Sequence, residues 1–202
     1  MRHKFARLIG CTALFSATVF SPALYAQSPA LEHLKTSLAS VQQGLNDPQL
    51  AGDQHRWQRR KLVRTILQQL FDFDEMSRRS LGSNARRYKD RLTEFTPLFV
   101  DFLEHAYLGT LEQNGDAKIH YVKEINDGEN VQINTRTELR DGSEYDVNYK
   151  FYLNTVGWRV YDVSVEGISL VNSYRSQFNR VLNRKSFDEL LQDLRAKKEL
   201  FN

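Results

Sequence analysis

Between residues 145 and 153 the apolar side chains fall on every second position: Tyr145, Val147, Tyr149, Phe151 and Leu153. That is the period of a strand with one apolar and one polar face, and here the apolar face is large and aromatic. A turn at Thr155, Val156 and Gly157 leads to a further strand, in which Trp158 and Val160 share one parity and Val163 and Val165 the other. A bulge near Tyr161 and Asp162, or burial of both faces, reconciles the two sets. Past Gly167 the step lengthens. Ile168, Val171, Tyr174, Phe178 and Val181 recur at helical spacing, which predicts a helix over 168–183 that can fold back across the sheet. The two surfaces then enclose either a solid core or a cavity.

The rest of the chain supplies the partners of this unit. Ser28 and Pro29 read as an N-cap and a first-turn proline, followed by an apolar face of Leu31, Leu34, Leu38, Val41 and Leu45. A second helix turns Leu62, Val63, Ile66, Leu67, Leu70 and Phe71 inward and carries Arg59, Arg60, Lys61 and Arg64 outward, as a solvated face or a docking surface for an acidic partner. Asp74 is expected to cap a short helix that buries Phe73 and Met76 and stops at Gly82. A longer helix over 92–111 bears Phe95, Phe99, Phe102, Leu103, Tyr107 and Leu111; with Thr93 as its N-cap, Pro97 falls at the edge of the first turn, and with an earlier start a kink is expected there. Two strands follow, one with Ile119, Tyr121 and Ile125 on its apolar side, the other with Val131, Ile133, Thr135, Thr137 and Leu139. Asp127 with Gly128, and Asp141 with Gly142, supply the hairpin turns. Ser186 and Glu189 form a capping box for a last helix with Leu190, Leu191, Leu194 and Phe201 inward. The expected fold class is α+β: a four-stranded antiparallel meander packed against N-terminal and C-terminal helices.

The first residues belong to a different problem. Arg2, Lys4 and Arg7 precede an apolar run over 8–20, then Pro22 and small residues up to Ala26. This is the arrangement of a secretory signal peptide, with cleavage expected after Ala26 and a single domain over 27–202. The one cysteine, Cys11, superficially suits a lipoprotein motif, but the apolar run follows it where such a motif needs one before it. Without cysteine, an exported domain relies on its core alone. The leader takes three basic and no acidic side chains with it, leaving 25 of each. A balanced charge argues against nucleic acid as a partner.

Catalytic patterns are sparse. There is no Gly-x-Ser-x-Gly elbow and no His-Glu-x-x-His pair, and His33, His55, His105 and His120 lie far apart in the chain, so no catalytic residue, metal ligand or cofactor is assigned. The strongest enzymatic alternative is a cone-shaped fold of the ketosteroid-isomerase type, with Asp162 or His120 as general base inside an apolar cavity. Against it, a carboxylate at a bulge commonly satisfies backbone amides. His120 is expected at the surface.

Two blocks carry a family resemblance. The first is Phe71, Asp72 and Phe73 with Met76, Arg79, Leu81 and Gly82; the second is Tyr161, Asp162 and Val163, then Glu166 to Leu170 in the order Glu-Gly-Ile-Ser-Leu, then Asn172, Ser173, Tyr174, Arg175, Gln177 and Phe178. Over residues 62–194 the chain resembles the MlaC family of periplasmic phospholipid-binding proteins, auxiliary components of an ABC transport system for toluene tolerance. The family often has a tryptophan after the Leu-Gly pair, where this chain has Ser83, Asn84 and Ala85, and Tyr88 is the residue that can fill the gap.

The resemblance implies a monomeric carrier with phospholipid as bound cargo and no other cofactor. Its partners would be an outer-membrane lipoprotein-porin complex and an inner-membrane ABC transporter complex with a membrane-anchored substrate-binding subunit, and its task the maintenance of outer-membrane lipid asymmetry. A periplasmic lipoprotein chaperone is the other acyl-shielding alternative. Roughly thirty methylenes at about 0.8 kcal/mol each make a bare pair of tails too costly in water, by on the order of 20 kcal/mol or more. An apolar lipid pocket is therefore expected between helices and sheet. Its walls would be Phe73, Met76, Phe95, Phe99, Phe102, Leu103, Tyr107, Leu111, Val131, Ile133, Val147, Tyr149, Phe151, Trp158, Val160, Val163, Val165 and Tyr174. Arg78, Arg79, Arg86 and Arg87 are candidates for a phosphate contact, for docking, or for a plain solvated face.

Overall fold

Helix α1 (Pro29–Leu45) begins as its sequence prescribes: the Ser28 hydroxyl accepts the Leu31 N–H at 3.1 Å and Pro29 opens the first turn. The structure, a computed structural model, describes residues 28–196; the expected signal peptide, Cys11 and Phe201 lie outside the described residues. Two single-turn 3-10 helices (Pro48–Leu50 and Asp53–His55) lead into α2 (Arg56–Leu70), then α3 (Phe73–Leu81) and the short α4 (Asn84–Arg87). After another 3-10 turn comes α5 (Leu92–Gln113).

The sheet follows as a meander: β1 (Lys118–Asn126), β2 (Asn130–Glu138), β3 (Glu144–Asn154), β4 (Gly157–Val165) and β5 (Ile168–Ser169), each antiparallel to the next. Helices α6 (Leu170–Leu182) and α7 (Phe187–Arg195) close the described chain, α7 with the expected reciprocal Ser186 and Glu189 capping box.

The sheet has five strands, which corrects the expected four. Glu166 and Gly167 both take positive φ, 50° and 76°, so the chain reverses in two residues and Ile168 and Ser169 pair back onto Val165 and Ser164. The helix expected from 168 therefore starts at Leu170, with the Ser169 hydroxyl capping Asn172 N–H. The bulge near Tyr161 and Asp162 is present: Lys150 pairs with Asp162 and Phe151 with Val160, which leaves Tyr161 as the extra residue. That insertion puts Trp158, Val160, Val163 and Val165 on one face, opposite Leu153, Phe151, Tyr149 and Val147.

Three local expectations change. Asp72, not Asp74, caps α3, its Oδ1 accepting the Glu75 N–H at 2.9 Å. Helix α5 starts at Leu92 with no side-chain cap, so Thr93 is not its N-cap and Pro97 lies inside it. In β1 the register slips between Tyr121 and Lys123; Glu124 then pairs with Ile133, and Ile125 turns outward, 45% exposed.

The apolar interior is divided. One cluster is helical, with α3, α5, α6 and α7 contributing Met76, Leu81, Phe95, Phe99, Tyr174, Phe178 and Leu190. The second joins Ala30 and Leu34 of α1 and Leu70 of α2 to the sheet face of Val131, Ile133, Tyr149, Phe151 and Val160. A small third group, Val41, Val63 and Leu108, ties α1, α2 and α5 together.

Candidate functional site

Two carboxylates fasten the helices to the sheet. Because of the bulge, Asp162 leaves the apolar face of β4 and is 3% exposed on the other side. Its Oδ1 accepts the Val171 N–H at 3.1 Å, and its Oδ2 accepts the Ser169 hydroxyl at 2.7 Å and the Lys150 ammonium at 3.3 Å. Two of these three donors belong to the start of α6, where a negative charge is favoured, and the third is a cation of β3. Asp162 is a structural tie, and it lines neither of the two cavities described below. His120, the other candidate base, is exposed beside Glu138.

Asp72, the N-cap of α3, makes a comparable tie at Val160 of β4. Its backbone N–H donates to Val160 O at 2.9 Å, Oδ1 caps α3, and Oδ2 accepts the Tyr152 hydroxyl and the Asn154 amide. Burial first, and then the Asp72 hydrogen bond, push the Tyr152 phenol above its ordinary pKa. Arg79 lies 4.0 Å over the Tyr161 ring, itself edge-on to Tyr152. The two sequence blocks singled out above are therefore the two junctions of sheet and helix.

Phe71, between α2 and α3, packs against both large clusters and bridges to Val160. A cavity of about 570 Å³ opens at this seam. Its walls are Arg64 and Gln68 of α2, residues 71–74, Thr93, Thr96, Pro97, Val100, Asp101 and Glu104 of α5, and Asn154, Val156 and Arg159 around the β3–β4 turn. The lining is mixed, with Phe71, Phe73, Pro97, Val100 and Val156 beside four acids and two arginines. Arg64 pairs with Glu104 and Asp101 across it. A second cavity of about 420 Å³ lies between α1 and β1, bordered by Lys35, Gln42, Ala117 and Tyr121.

The residues expected to line one apolar pocket are distributed between the clusters. Met76, Phe95, Phe99, Phe102, Leu103 and Tyr174 are buried together, their rings in edge and stacked contacts 5.1–5.8 Å apart, with Phe73 partly buried against them. Val131, Ile133, Tyr149, Phe151 and Val160 are buried in the sheet cluster, with Val147, Trp158 and Val163 partly buried at its margin. Tyr107 and Leu111, on the outer part of α5, are 40% and 39% exposed, and the Tyr107 hydroxyl lies 3.2 Å from that of Tyr174.

Val165 is also largely exposed. It sits in a bare strip with Ile168 and Tyr145, and partly buried Val147, its partner on β3, forms the edge of that strip. The apolar face of the sheet thus continues past the cover of α1 and α2 into solvent. Tyr149 stands where cover ends; burial pushes its phenol up, and its hydroxyl makes no hydrogen bond among the described residues. Of the four arginines considered for phosphate, Arg78 and Arg79 are held by Glu75, whereas Arg86 and Arg87 are exposed and have no carboxylate partner among the described residues.

Sequence reasoning did not place Phe71, Asn154, Val156 or Arg159 at a site. The motif of Phe71, Asp72 and Phe73 was the available signal; the turn residues gave none, because their neighbours come from α2 and α5.

The architecture is that of a helix-covered antiparallel sheet with its apolar face only partly closed. The MlaC protein family matches residues 35–196, and the chain belongs to that family. Among solved structures it is similar to the phospholipid-binding protein from Ralstonia solanacearum in complex with a phospholipid. The TM-score is 0.75 at 21% identity, over 84% of this chain and 97% of that one. No curated protein sequence matches the chain.

Proposed function

We propose that the protein is a periplasmic phospholipid carrier, exported by a cleaved leader, that shields acyl chains in an apolar interior. One observation carries the reading: the fold it shares, over most of its length, with a protein holding a phospholipid. Family membership and the half-covered apolar face of the sheet support it. On this reading the strip of Tyr145, Val165 and Ile168, edged by Val147, is where tails enter, and the helical and sheet clusters separate to receive them. The walls would be the aromatic positions of α5 and α6 and the inner face of β2, β3 and β4. On the same reading the Tyr149 hydroxyl, which makes no hydrogen bond among the described residues, would donate to an ester carbonyl of the bound lipid.

The carrier acts as a monomer between an outer-membrane lipoprotein-porin complex and an inner-membrane ABC transporter complex with its membrane-anchored substrate-binding subunit, keeping the outer membrane asymmetric. The chemistry is transfer, not turnover. No helix of the described residues is long and apolar enough to cross a membrane, which is compatible with this role.

The test is to identify what leaves with the protein when it is purified from cells, by native mass spectrometry and lipid extraction. Co-purifying phospholipid is expected. Recovery of a lipoprotein in its place would favour the chaperone reading, and a protein consistently free of lipid would overturn the proposal.

A further inference from the structure

Two segments far apart in the chain carry only one sign of charge. Residues 76–89 hold Arg78, Arg79, Arg86, Arg87 and Lys89 with no acid, and residues 167–187 hold Arg175, Arg180, Arg184 and Lys185 with no acid. The fold lays them side by side. The Arg175 guanidinium donates to Arg79 O at 2.9 Å, the Asn84 amide donates to Asn179 Oδ1 at 2.7 Å, and Tyr88 stacks on Phe187 with ring centres 4.2 Å apart. Arg78 and Arg79 share one carboxylate, Glu75, and Lys185 pairs with Asp193. Arg86, Arg87, Lys89, Arg180 and Arg184 are exposed and make no ion pair among the described residues. The neutral overall charge of the chain after its leader therefore hides a basic face built by α4, α6 and the residues that follow each of them.

We infer that this face docks the protein on a bilayer surface through anionic phosphate headgroups. Two features favour a lipid surface over an acidic protein. Protein interfaces depend on buried aromatic or aliphatic anchors, and no large apolar side chain of α3, α4 or α6 is exposed. Four of the five free cations are arginines, whose planar donors match phosphate oxygens and tolerate a fluid arrangement of headgroups. None of the five exposed cations belongs to the apolar strip of Tyr145, Val165 and Ile168, so docking and cargo binding can be read separately.

Flotation of the full mature protein with protein-free vesicles tests it, comparing phosphatidylcholine alone with a phosphatidylcholine and phosphatidylglycerol mixture. Binding is expected to the anionic vesicles only, and to fall as salt rises. The pair Arg87→Glu and Arg180→Glu is expected to weaken that binding on the order of thirtyfold or more. The pair Lys61→Glu and Lys123→Glu makes the same change of charge on α2 and β1 and is expected to leave most of the binding. Should the first pair fold poorly, Arg87→Gln with Arg180→Gln replaces it. Phospholipid content of each variant, read separately, stays at the wild-type level, which distinguishes loss of docking from loss of cargo. Equal loss in both pairs, binding to neutral vesicles alike, or no binding to anionic vesicles overturns the inference; the last outcome, with retention on an acidic membrane protein, would give the face to a protein partner.

Discussion

Lys150 and Asp162 face each other across β3 and β4 on the rung where the register slips, Nζ 3.3 Å from Oδ2. The extra residue, Tyr161, inverts the parity of β4 and delivers a carboxylate to the start of α6 in place of the apolar face. Lys150 is about one-third exposed, so its ammonium reaches water while its partner does not. Asp162→Asn keeps the shape but removes the charge that three donors converge on, and its NH2 group meets donors in place of acceptors. Destabilisation of about 2 kcal/mol is expected from denaturant titration, most of it from the lost charge-assisted hydrogen bonds. Phospholipid bound per folded molecule should not change. A variant of full stability that had lost a turnover would instead restore the general-base reading.

Gly82 ends α3 with φ 58° and ψ −126°, a backbone state essentially reserved for glycine. A Cβ there would also sit 3.1 Å from Cγ and Cδ of Arg175, the residue that holds α6 to the last turn of α3. Gly82→Ala is expected to cost about 2 kcal/mol. Thermal melts would show it, and an unchanged midpoint would mean that the turn can be rebuilt without strain.

Periodicity read each element well and their assembly poorly. The conflict of parity between Val160 and Val163 disclosed the bulge at Tyr161, since two apolar sets on one strand need an inserted residue to share a face. In β1 the same device was invisible: Ile119, Tyr121 and Ile125 alternate regularly in sequence, so the slip after Tyr121 left no trace. Strand β5 was missed because two residues have no period and Glu166 shows no preference for positive φ. Asp72 and Asp74 are equivalent as local caps; what selects Asp72 is Tyr152, eighty positions away. The division of the interior into separate clusters escaped for a similar reason. A stripe such as Phe95, Phe99 and Phe102 says which side of a helix is inward, but not that Tyr174 and Phe178 fill the space before it.

Two buried phenols are expected to contribute most to the loss of stability at alkaline pH. Burial raises the pKa of Tyr149, and burial with the Tyr107 hydroxyl raises that of Tyr174. A phenol whose pKa is higher folded than unfolded contributes stability that is fully present below its unfolded value, near 10, and is lost as pH rises through the folded value. Unfolding midpoints in urea should therefore fall between about pH 9 and pH 11 in the wild type. The double variant Tyr149→Phe, Tyr174→Phe should fall less over that interval, although it starts lower by about 1 kcal/mol for the lost hydrogen bond of Tyr174. Identical slopes in the two proteins would mean that neither phenol governs the transition.

Val147 marks the edge of cover on the sheet: its strand neighbours are buried Tyr149 on one side and exposed Tyr145 on the other, and across the rungs it meets Thr135 and Val165. A larger side chain here has room to lean into the open strip, so the overpacking cost of Val147→Trp should stay near 1 kcal/mol. An indole in that place would occupy the threshold that acyl chains cross on the proposed route. Phospholipid recovered with the variant should then drop severalfold while the denaturant midpoint moves little. Loss of lipid and of stability in parallel would make Val147 an ordinary core residue and put the entrance elsewhere. Tyr149→Phe completes the comparison: removing a hydroxyl that has no protein partner among the described residues should leave stability level or raise it, so reduced lipid retention in that variant would register a hydrogen bond made only to the cargo.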